Sequence, residues 1–248
     1  MSSDLLSAAQ AAGLDPNRLP VHVAVIMDGN GRWARKRLLN RVRGHEQGAE
    51  AVRRIVRASR ELGIRFLTLY AFSTENWQRP VAEVGALMSL LERFLASEAP
   101  QMVENDIRLR VIGEVQRLPA DTREAIERTC CLTEANSSLT LTLALSYGGR
   151  NEIVSMVKGL AEAVRRGELS IDQIDEARVA GSLFTAGIPD PDLLIRTSGE
   201  MRISNFMLWQ LAYAEIFFTD TLWPDFSAEE FIAILGAFQR RERRFGRV

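Results

Sequence analysis

The chain has 248 residues, 46% hydrophobic and 25% charged, which is enough to bury the core of one large domain. Its 31 basic and 32 acidic residues nearly cancel, so no overall field attracts it to nucleic acid or to an anionic membrane. The two cysteines, Cys130 and Cys131, are neighbours in a predicted helix. This placement suits neither a long-range disulfide nor a metal site, and it indicates a reducing cytoplasm.

The N-terminal stretch, residues 2–20, has neither a basic start nor a long apolar run, so it differs from a signal peptide. We expect residues 1–20 to form a loosely ordered extension and residues 21–248 to form a single domain. The most apolar long segment, residues 84–103, is too polar to cross a bilayer because it contains Glu92, Arg93, Ser97 and Glu98. The protein is therefore expected to be cytoplasmic, or at most peripheral at the membrane.

Short runs rich in β-branched residues alternate with helical patterns along the chain. This alternation predicts an α/β fold: a single domain with a mostly parallel six-stranded sheet flanked by helices. Gly63 is placed to end the first long helix, and Ser227 begins the last one with a capping pattern. The predicted strands are residues 23–27, 66–72, 107–112, 139–146, 193–195 and 215–218.

The first predicted strand runs directly into Asp28-Gly-Asn-Gly-Arg-Trp-Ala34, a glycine-rich turn followed by a helix start. Gly29 and Gly31 let the backbone approach an anion, and Arg32 adds donors for phosphate oxygens. Asp28 would repel a diphosphate unless a cation lay between them. Mg2+ meets this need, because it binds one or two carboxylates together with substrate phosphate oxygens. The alternative is that Asp28 is an ordinary turn or helix-capping residue.

The same stretch also matches Gly-x-Gly-x-x-Ala, a pattern of dinucleotide-binding loops. A nucleotide-dependent oxidoreductase is therefore an alternative function. Two features weigh against it. The second predicted strand, residues 66–72, has no acidic residue that could bind a ribose, and Asp28 lies in the phosphate site.

Arg41 and His45 follow this loop in a span that is rich in basic residues. The loop, Arg41 and Gly44-His45 together resemble the first signature region of the cis-prenyltransferases, of the undecaprenyl diphosphate synthase type. Residues 67–80 resemble the second region of this family. Its C-terminal regions are resembled by residues 192–206, Trp209-Gln210, 213–215 and 222–225. The Asp-Asp-x-x-Asp motif of the all-helical trans-type enzymes is absent from the sequence.

The resemblance implies an enzyme that condenses isopentenyl diphosphate with an allylic, farnesyl-type diphosphate primer. The product would be a long polyprenyl diphosphate, the lipid-carrier precursor of bacterial cell-wall synthesis. The implied cofactor is Mg2+, held by Asp28 with the assistance of Glu215. The implied isopentenyl diphosphate site is Arg196, Arg202, Ile203 and Ser204. The implied primer site comprises Gly29, Asn30, Gly31, Arg32, Trp33, Arg41 and His45, and the second region adds Ser73, Thr74, Glu75, Asn76, Trp77 and Arg79.

Asn76 has a role in proton removal in the family, but a neutral carboxamide is a poor base. We expect Asn76 to orient the diphosphate or a water molecule, with a substrate phosphate oxygen as the proton acceptor. A capped helix start anchored by Trp77 is a structural interpretation of the same region. The chain departs from the family at Ser198, where many members have glycine, and at Met201, where some have histidine. Met201 removes one contact to metal or phosphate.

A growing prenyl chain needs an apolar cavity, and residues 84–95 carry more apolar surface than one core-facing stripe requires. An apolar tunnel is predicted to be lined by Val84, Leu87, Met88, Leu91, Phe94, Leu95, Ile107, Leu109, Val111, Leu139 and Leu141. An ordinary hydrophobic core is the alternative. A buried product would leave slowly, and peripheral membrane contact would help its release.

The resemblance also implies a homodimer, for which the basic residues 240–247 are a candidate contact. A non-catalytic partner subunit of a prenyltransferase complex is a further alternative. The presence of both Asp28 and Arg196 argues against it, because such a subunit would not need these residue types.

Overall fold

The computed structural model describes residues 3–241, and these contain one six-stranded sheet. The strands are β1 (His22–Ile26), β2 (Phe66–Ser73), β3 (Ile107–Ile112), β4 (Leu139–Tyr147), β5 (Leu193–Arg196) and β6 (Glu215–Phe218). Their order in the sheet is β3-β4-β2-β1-β5-β6, and each neighbouring pair is parallel. The predicted α/β fold with a six-stranded sheet is confirmed.

Helices cover both faces of the sheet. They are α1 (Ser3–Ala11), α2 (Asn30–Lys36), α3 (Arg41–Leu62), α4 (Val81–Glu104), α5 (Ala120–Leu132), α6 (Gly149–Arg165), α7 (Glu176–Ala180) and α8 (Ala228–Gln239). No helix among residues 3–241 is long and apolar enough to cross a membrane.

Strand β1 occupies the middle of the sheet, and each of its five residues is buried. Val23 and Val25 belong to the larger core cluster, which includes residues of α3, α4 and α8. Ala24 and Ile26 belong to a second cluster with Phe206 on the opposite face. A strand covered on both faces is apolar throughout, which explains why the sequence shows a continuous run rather than an alternating pattern.

His22 begins β1 at the amino edge of the sheet, and its ring is completely buried. Nδ1 lies 2.6 Å from the carbonyl oxygen of Pro189, and Nε2 lies 2.7 Å from the hydroxyl of Thr68. Burial lowers the pKa of His22 to about 4, although the Pro189 carbonyl and the charge of Asp192 act in the opposite direction. The imidazole is therefore neutral at physiological pH and serves as a hydrogen-bonded part of the core.

The N-terminal segment contains α1, which contacts α8. Its following turn is bound to Gln239, which donates to the carbonyl oxygen of Asp15 at 2.7 Å and accepts from the Asp15 backbone N–H at 3.1 Å. Arg18 donates to the carbonyl oxygen of Gln239 at 2.9 Å. The division of the chain at residue 20 stays a prediction. Most of the basic tail predicted at residues 240–247 lies outside the described residues.

Candidate functional site

The loops that follow β1 and β5 meet at the carboxyl edge of the sheet. The Asp28 backbone N–H donates to the Thr197 hydroxyl at 3.0 Å, and that hydroxyl donates to the Asp28 carbonyl oxygen at 2.7 Å. Gly29 has a φ of 113°, and a Cβ atom there would lie 3.0 Å from the Leu222 side chain. Only glycine fits both the conformation and the space, so the start of α2 is fixed beside the sheet.

A carboxylate and a buried guanidinium form the centre of the site. Arg196 donates through Nη2 to Asp28 Oδ2 at 2.9 Å, and its Nη1 donates to the Ser204 hydroxyl at 2.6 Å and to the Arg202 carbonyl oxygen. Arg32 approaches the same Asp28 oxygen to 3.3 Å. Burial alone would raise the pKa of Asp28, but the Arg196 hydrogen bond and the charges of Arg32 and Arg196 lower it below its ordinary value. Asp28 is therefore ionised at physiological pH.

A basic pocket opens beside this pair, with a volume of about 220 Å³. It is lined by eight predicted site residues, together with Met27, Arg35 and Glu83, which the sequence does not predict. Glu83 accepts from Arg41 at 3.3 Å and from Arg79 at 3.2 Å, and so holds two cations in one place. The predicted residues in the lining are Asp28, Gly29, Asn30, Gly31, Arg32, Arg41 and His45, with Arg79 from the second region.

His45 lies on α3 at the inner end of the basic pocket, 3.4 Å from the Asn30 side-chain nitrogen. Burial, together with the charges of Arg79 and Arg41, lowers the pKa of His45 to about 4, although the charge of Glu83 acts in the opposite direction. The ring is therefore neutral and can donate one hydrogen bond without adding charge.

The second predicted region forms a 3-10 turn, Thr74–Gln78, after β2. The Asn76 side-chain oxygen accepts from the Ser73 backbone N–H at 3.1 Å, as in a capping box. Trp77 donates to the Ser146 hydroxyl at 2.9 Å and packs edge-on against Phe72. The structural interpretation of a capped start with an anchoring tryptophan is therefore correct for this turn. Glu75 accepts from Asn205 at 2.9 Å and so connects the turn to the C-terminal loop.

The loop after β5 brings Arg202 and Ser204 close to the centre of the site. Glu200 binds both Arg202, at 2.5 Å, and Arg32, at 3.1 Å. Arg32 also donates to the carbonyl oxygen of Ser198 at 3.0 Å and to the Ser198 hydroxyl. Ile203, a neighbour of Ser204, is partly buried against the second core cluster.

Two predicted site residues, Trp33 and Glu215, do not point into the basic pocket or toward Asp28 in this chain. Trp33 turns away from the basic pocket, donates to Asp225 at 2.7 Å and is covered by the Arg37 guanidinium at 4.1 Å. Glu215 begins β6 in register with Leu193, at the amino end of the sheet, and pairs with Arg241. Asp28 follows the other end of β1, so the two carboxylates are separated by roughly 16 Å along the strand direction alone.

The donor set at Asp28 suits a cation that arrives with phosphate oxygens. Residues 3–241 contain no group of three or more His, Cys, Asp or Glu side chains that could hold a metal ion by themselves. Asp28 offers one ionised carboxylate next to arginines that attract phosphate. Mg2+ is commonly bound in this way, with one or two carboxylates and several substrate or water oxygens.

An apolar cavity of about 120 Å³ continues inward from the basic pocket, between α3, α4 and the sheet. Met27, Asn30 and His45 line both spaces. Phe94 lines the apolar cavity and also an outer cavity of about 320 Å³. Of the predicted tunnel residues, the apolar cavity contains Leu87, Met88, Leu91 and Phe94, and the outer cavity contains Ile107 and Leu141. Sequence reasoning missed Ala71, Leu143 and Leu145, which also line the apolar cavity.

Comparison with known proteins identifies the family. Residues 26–246 match the family model for undecaprenyl diphosphate synthase. The isoprenyl transferase of Geobacillus kaustophilus (strain HTA426) is 54% identical over 230 residues, which cover 93% of this chain and 90% of that protein. The chain belongs to the undecaprenyl diphosphate synthase family of prenyltransferases. It is therefore a transferase that carries out cis-prenyl chain elongation, which excludes the oxidoreductase alternative.

Solved structures of the same family share the fold. The structure of lavandulyl diphosphate synthase from Lavandula x intermedia, in complex with dimethylallyl diphosphate, has a TM-score of 0.89 and 40% identity, and covers 93% of this chain and 99% of that one. A probable undecaprenyl diphosphate synthase from Campylobacter jejuni has a TM-score of 0.76 and 35% identity, with 92% and 99% covered. In a comparison of sequences alone, the isoprenyl transferase of Geobacter sulfurreducens (strain ATCC 51573 / DSM 12127 / PCA) is 53% identical over 235 residues, which cover 95% of this chain and 96% of that protein.

Proposed function

We propose that the site binds two diphosphates on either side of Asp28, one from an allylic primer and one from isopentenyl diphosphate. The observation that carries this proposal is the ionised Asp28 carboxylate between two groups of cations. Arg32, Arg41 and Arg79 surround the basic pocket, while Arg196 ends β5 and Arg202 lies in the loop that follows. Each diphosphate brings two to three negative charges, which paired guanidinium hydrogen bonds can match.

Asp28 would hold Mg2+ through its carboxylate, with phosphate oxygens completing the coordination. The cation supplies charge stabilisation for the departing diphosphate. Asp28 suits this role because its arginine neighbours keep it ionised. Its backbone, bound in both directions to Thr197, keeps the carboxylate at the edge of the sheet.

The chain's own residues would act mainly by positioning and by electrostatics. Arg32, Arg41 and Arg79 would bind the primer diphosphate and stabilise negative charge as the bond to the allylic carbon breaks. Arg196, Arg202 and Ser204 would hold isopentenyl diphosphate so that its double bond attacks that carbon and its C2 proton is lost. Asn76 would orient the diphosphate or a water molecule, and the proton would pass to a substrate phosphate oxygen. Gly29, Gly31, Ser73 and Thr74 would shape the backbone around the phosphates.

The apolar cavity would receive the hydrocarbon of a farnesyl-type primer and then the growing chain. Its position supports this proposal, because it begins at His45, where the basic pocket ends. Burial of hydrocarbon contributes about 0.8 kcal/mol per methylene. Each added five-carbon unit would therefore tighten product binding by up to ~4 kcal/mol, so that product release becomes slow. Peripheral contact with a membrane would speed that release and deliver the lipid-carrier precursor for cell-wall synthesis.

Glu215 could assist the metal only from a second copy of the chain, because it is far from Asp28 within one chain. The predicted homodimer would satisfy this requirement. Size measurement of the purified protein tests the homodimer directly, and a monomer that is fully active would contradict the role of Glu215.

The proposed reaction can be tested with labelled isopentenyl diphosphate, a farnesyl diphosphate primer and Mg2+. We expect label to enter a long polyprenyl product, because both diphosphate sites and the apolar cavity are present. Asp28→Ala should lower turnover by at least ~100-fold, since the carboxylate that places the cation is lost. Asp121→Ala, at an exposed position on α5, is the matched control and should retain activity. Full turnover in excess EDTA would contradict the assignment of a metal to Asp28, and the absence of any product would contradict the proposed reaction.

A further inference from the structure

Glu200 connects the two proposed diphosphate sites. One carboxylate oxygen lies 3.1 Å from Arg32 Nη1, and the other lies 2.5 Å from Arg202 Nη1. Arg32 belongs to the basic pocket of the primer, whereas Arg202 belongs to the loop proposed to hold isopentenyl diphosphate. A single carboxylate therefore neutralises one cation of each site.

The rest of this region is firmly held, so the Glu200 side chain can leave without loss of the site. The Ser198 backbone N–H donates to the Thr221 carbonyl oxygen at 2.8 Å, and the Gly199 N–H donates to that of Thr219 at 2.8 Å. Arg32 has a second support, because it donates to the carbonyl oxygen and hydroxyl of Ser198. Ser198 has a φ of 79°, a conformation that costs a non-glycine residue about 1 kcal/mol or more. The loop retains this conformation of Ser198, in which the Ser198 carbonyl oxygen and hydroxyl orient Arg32.

We propose that Glu200 couples the two substrate sites because its carboxylate pairs with one arginine of each, an inference that rests on the proposed function. A diphosphate that binds Arg32 repels the Glu200 carboxylate, whose two oxygens must move together, and Arg202 is freed at the same time. Binding of isopentenyl diphosphate first has the reciprocal effect on Arg32. The cost of displacing Glu200 falls on whichever substrate arrives first, so the second binds more tightly.

Glu83 provides a matched comparison within the same site. It also bridges two arginines, Arg41 and Arg79, at 3.3 and 3.2 Å. Both of these arginines line the basic pocket. Displacement of Glu83 therefore affects the primer alone and transmits nothing to the other substrate.

The test is to measure binding by calorimetry in Mg2+, using farnesyl thiodiphosphate as a slowly reacting primer analogue. Its dissociation constant is measured with and without saturating isopentenyl diphosphate, and the ratio is the coupling factor. Glu200→Gln should bind each ligand alone more tightly and should lower the coupling factor by roughly fivefold or more, the usual scale of such coupling. Glu83→Gln should tighten the primer analogue alone and leave the coupling factor unchanged.

The possible outcomes separate the two levels of the proposal. If the native protein and Glu200→Gln have the same coupling factor, the role of Glu200 is refuted. If Glu83→Gln lowers the factor as much as Glu200→Gln does, the effect belongs to any lost carboxylate and the role of Glu200 is refuted as well. If the native protein binds neither ligand, the proposed function itself fails. Equal thermal midpoints for the variants establish that folding does not explain the differences.

Discussion

Two ionisable side chains at opposite edges of the sheet respond to burial in different ways. Arg196 pairs with Asp28 and also donates to the Ser204 hydroxyl and to the Arg202 carbonyl oxygen. His22 instead is neutral, because burial disfavours the charged ring and its two hydrogen-bond partners, the Pro189 carbonyl oxygen and the Thr68 hydroxyl, carry no charge. The first case creates an electrostatic site at the carboxyl edge. The second makes the amino edge sensitive to acid.

The low pKa of His22 predicts a loss of stability in acid. The folded pKa of His22 is about 4, whereas an unfolded histidine has the ordinary pKa of 6.5. Between these two pH values the unfolded chain binds the proton more readily, so stability is complete above pH 6.5 and falls as the pH decreases toward 4. A shift of this size corresponds to about 3 kcal/mol. Urea unfolding measured at several pH values would detect it.

The second histidine, His45, contributes to the same pH dependence and provides a comparison for His22. His45 has the same folded pKa of about 4 and contributes with the same sign. Each single variant, His22→Gln and His45→Gln, should therefore reduce the pH dependence by about half. A pH slope that is identical in His22→Gln and in the native protein would contradict the proposed cause.

At the scale of helices, the position of the phosphate loop depends on how closely α3 approaches α2. Gly44 lies on α3, where a Cβ atom would overlap the carbonyl oxygen of Asn30 and lie 3.2 Å from Ala34. Four residues later, a Cβ on Gly48 would meet the Asn30 side chain at 2.5 Å. Two glycines on one helix face thus let the residues of the basic pocket sit directly against α3.

Gly44→Ala should therefore displace α2 and weaken both stability and activity. We expect the free energy of unfolding to fall by about 1–3 kcal/mol, as for overpacked sites, with loss of primer binding because Asn30 and Arg32 move. Gly85→Ala on α4 is the matched control, since a Cβ there meets nothing within 4 Å. It should raise stability by about 0.5–1 kcal/mol. Thermal unfolding and primer affinity measure both changes, and similar behaviour of the two variants would count against this account.

Features that depend on residues close together in the sequence could be predicted, whereas those that depend on contacts between distant parts of the chain could not. The strands were evident because each is a short apolar run, and the glycine-rich turn was evident because only glycine suits its backbone. The direction of Trp33 was not, because it depends on Asp225, almost two hundred residues later in the chain. Glu83 could have been noticed four residues after Arg79 at a helix start. The bridging position of Glu200 requires two distant loops to meet, and no local pattern encodes that meeting.

At the scale of the whole molecule, three cavities lie in sequence from the basic pocket to the far end of α4. Phe94 lines both the apolar and the outer cavity. Its ring lies 5.4 Å from the guanidinium of Arg53, which is bound to Glu98 at 2.7 Å. In the proposed reaction, a growing chain would meet Phe94 before it could enter the outer space.

Phe94→Ala should therefore give longer products. Removal of the ring joins the two cavities and provides room for further five-carbon units, which chromatographic sizing of the product would reveal. Met102→Ala enlarges only the outer cavity and should leave product length unchanged while Phe94 is present. An unaltered length distribution in Phe94→Ala, with folding verified by thermal unfolding, would contradict this role for Phe94.

The order of the strands has a consequence for the chain as it leaves the ribosome. The first four strands are neighbours in the finished sheet, β3-β4-β2-β1, and they emerge before β5 and β6. Until Leu193 pairs with Val23, the outer edge of β1, whose residues are all buried in the finished fold, has no partner. Such an edge is a template for association with other chains. Fragments that end before β5 should therefore aggregate rather than act as a smaller enzyme, and Asp28 acquires Arg196 as a partner only after β5 has been synthesised.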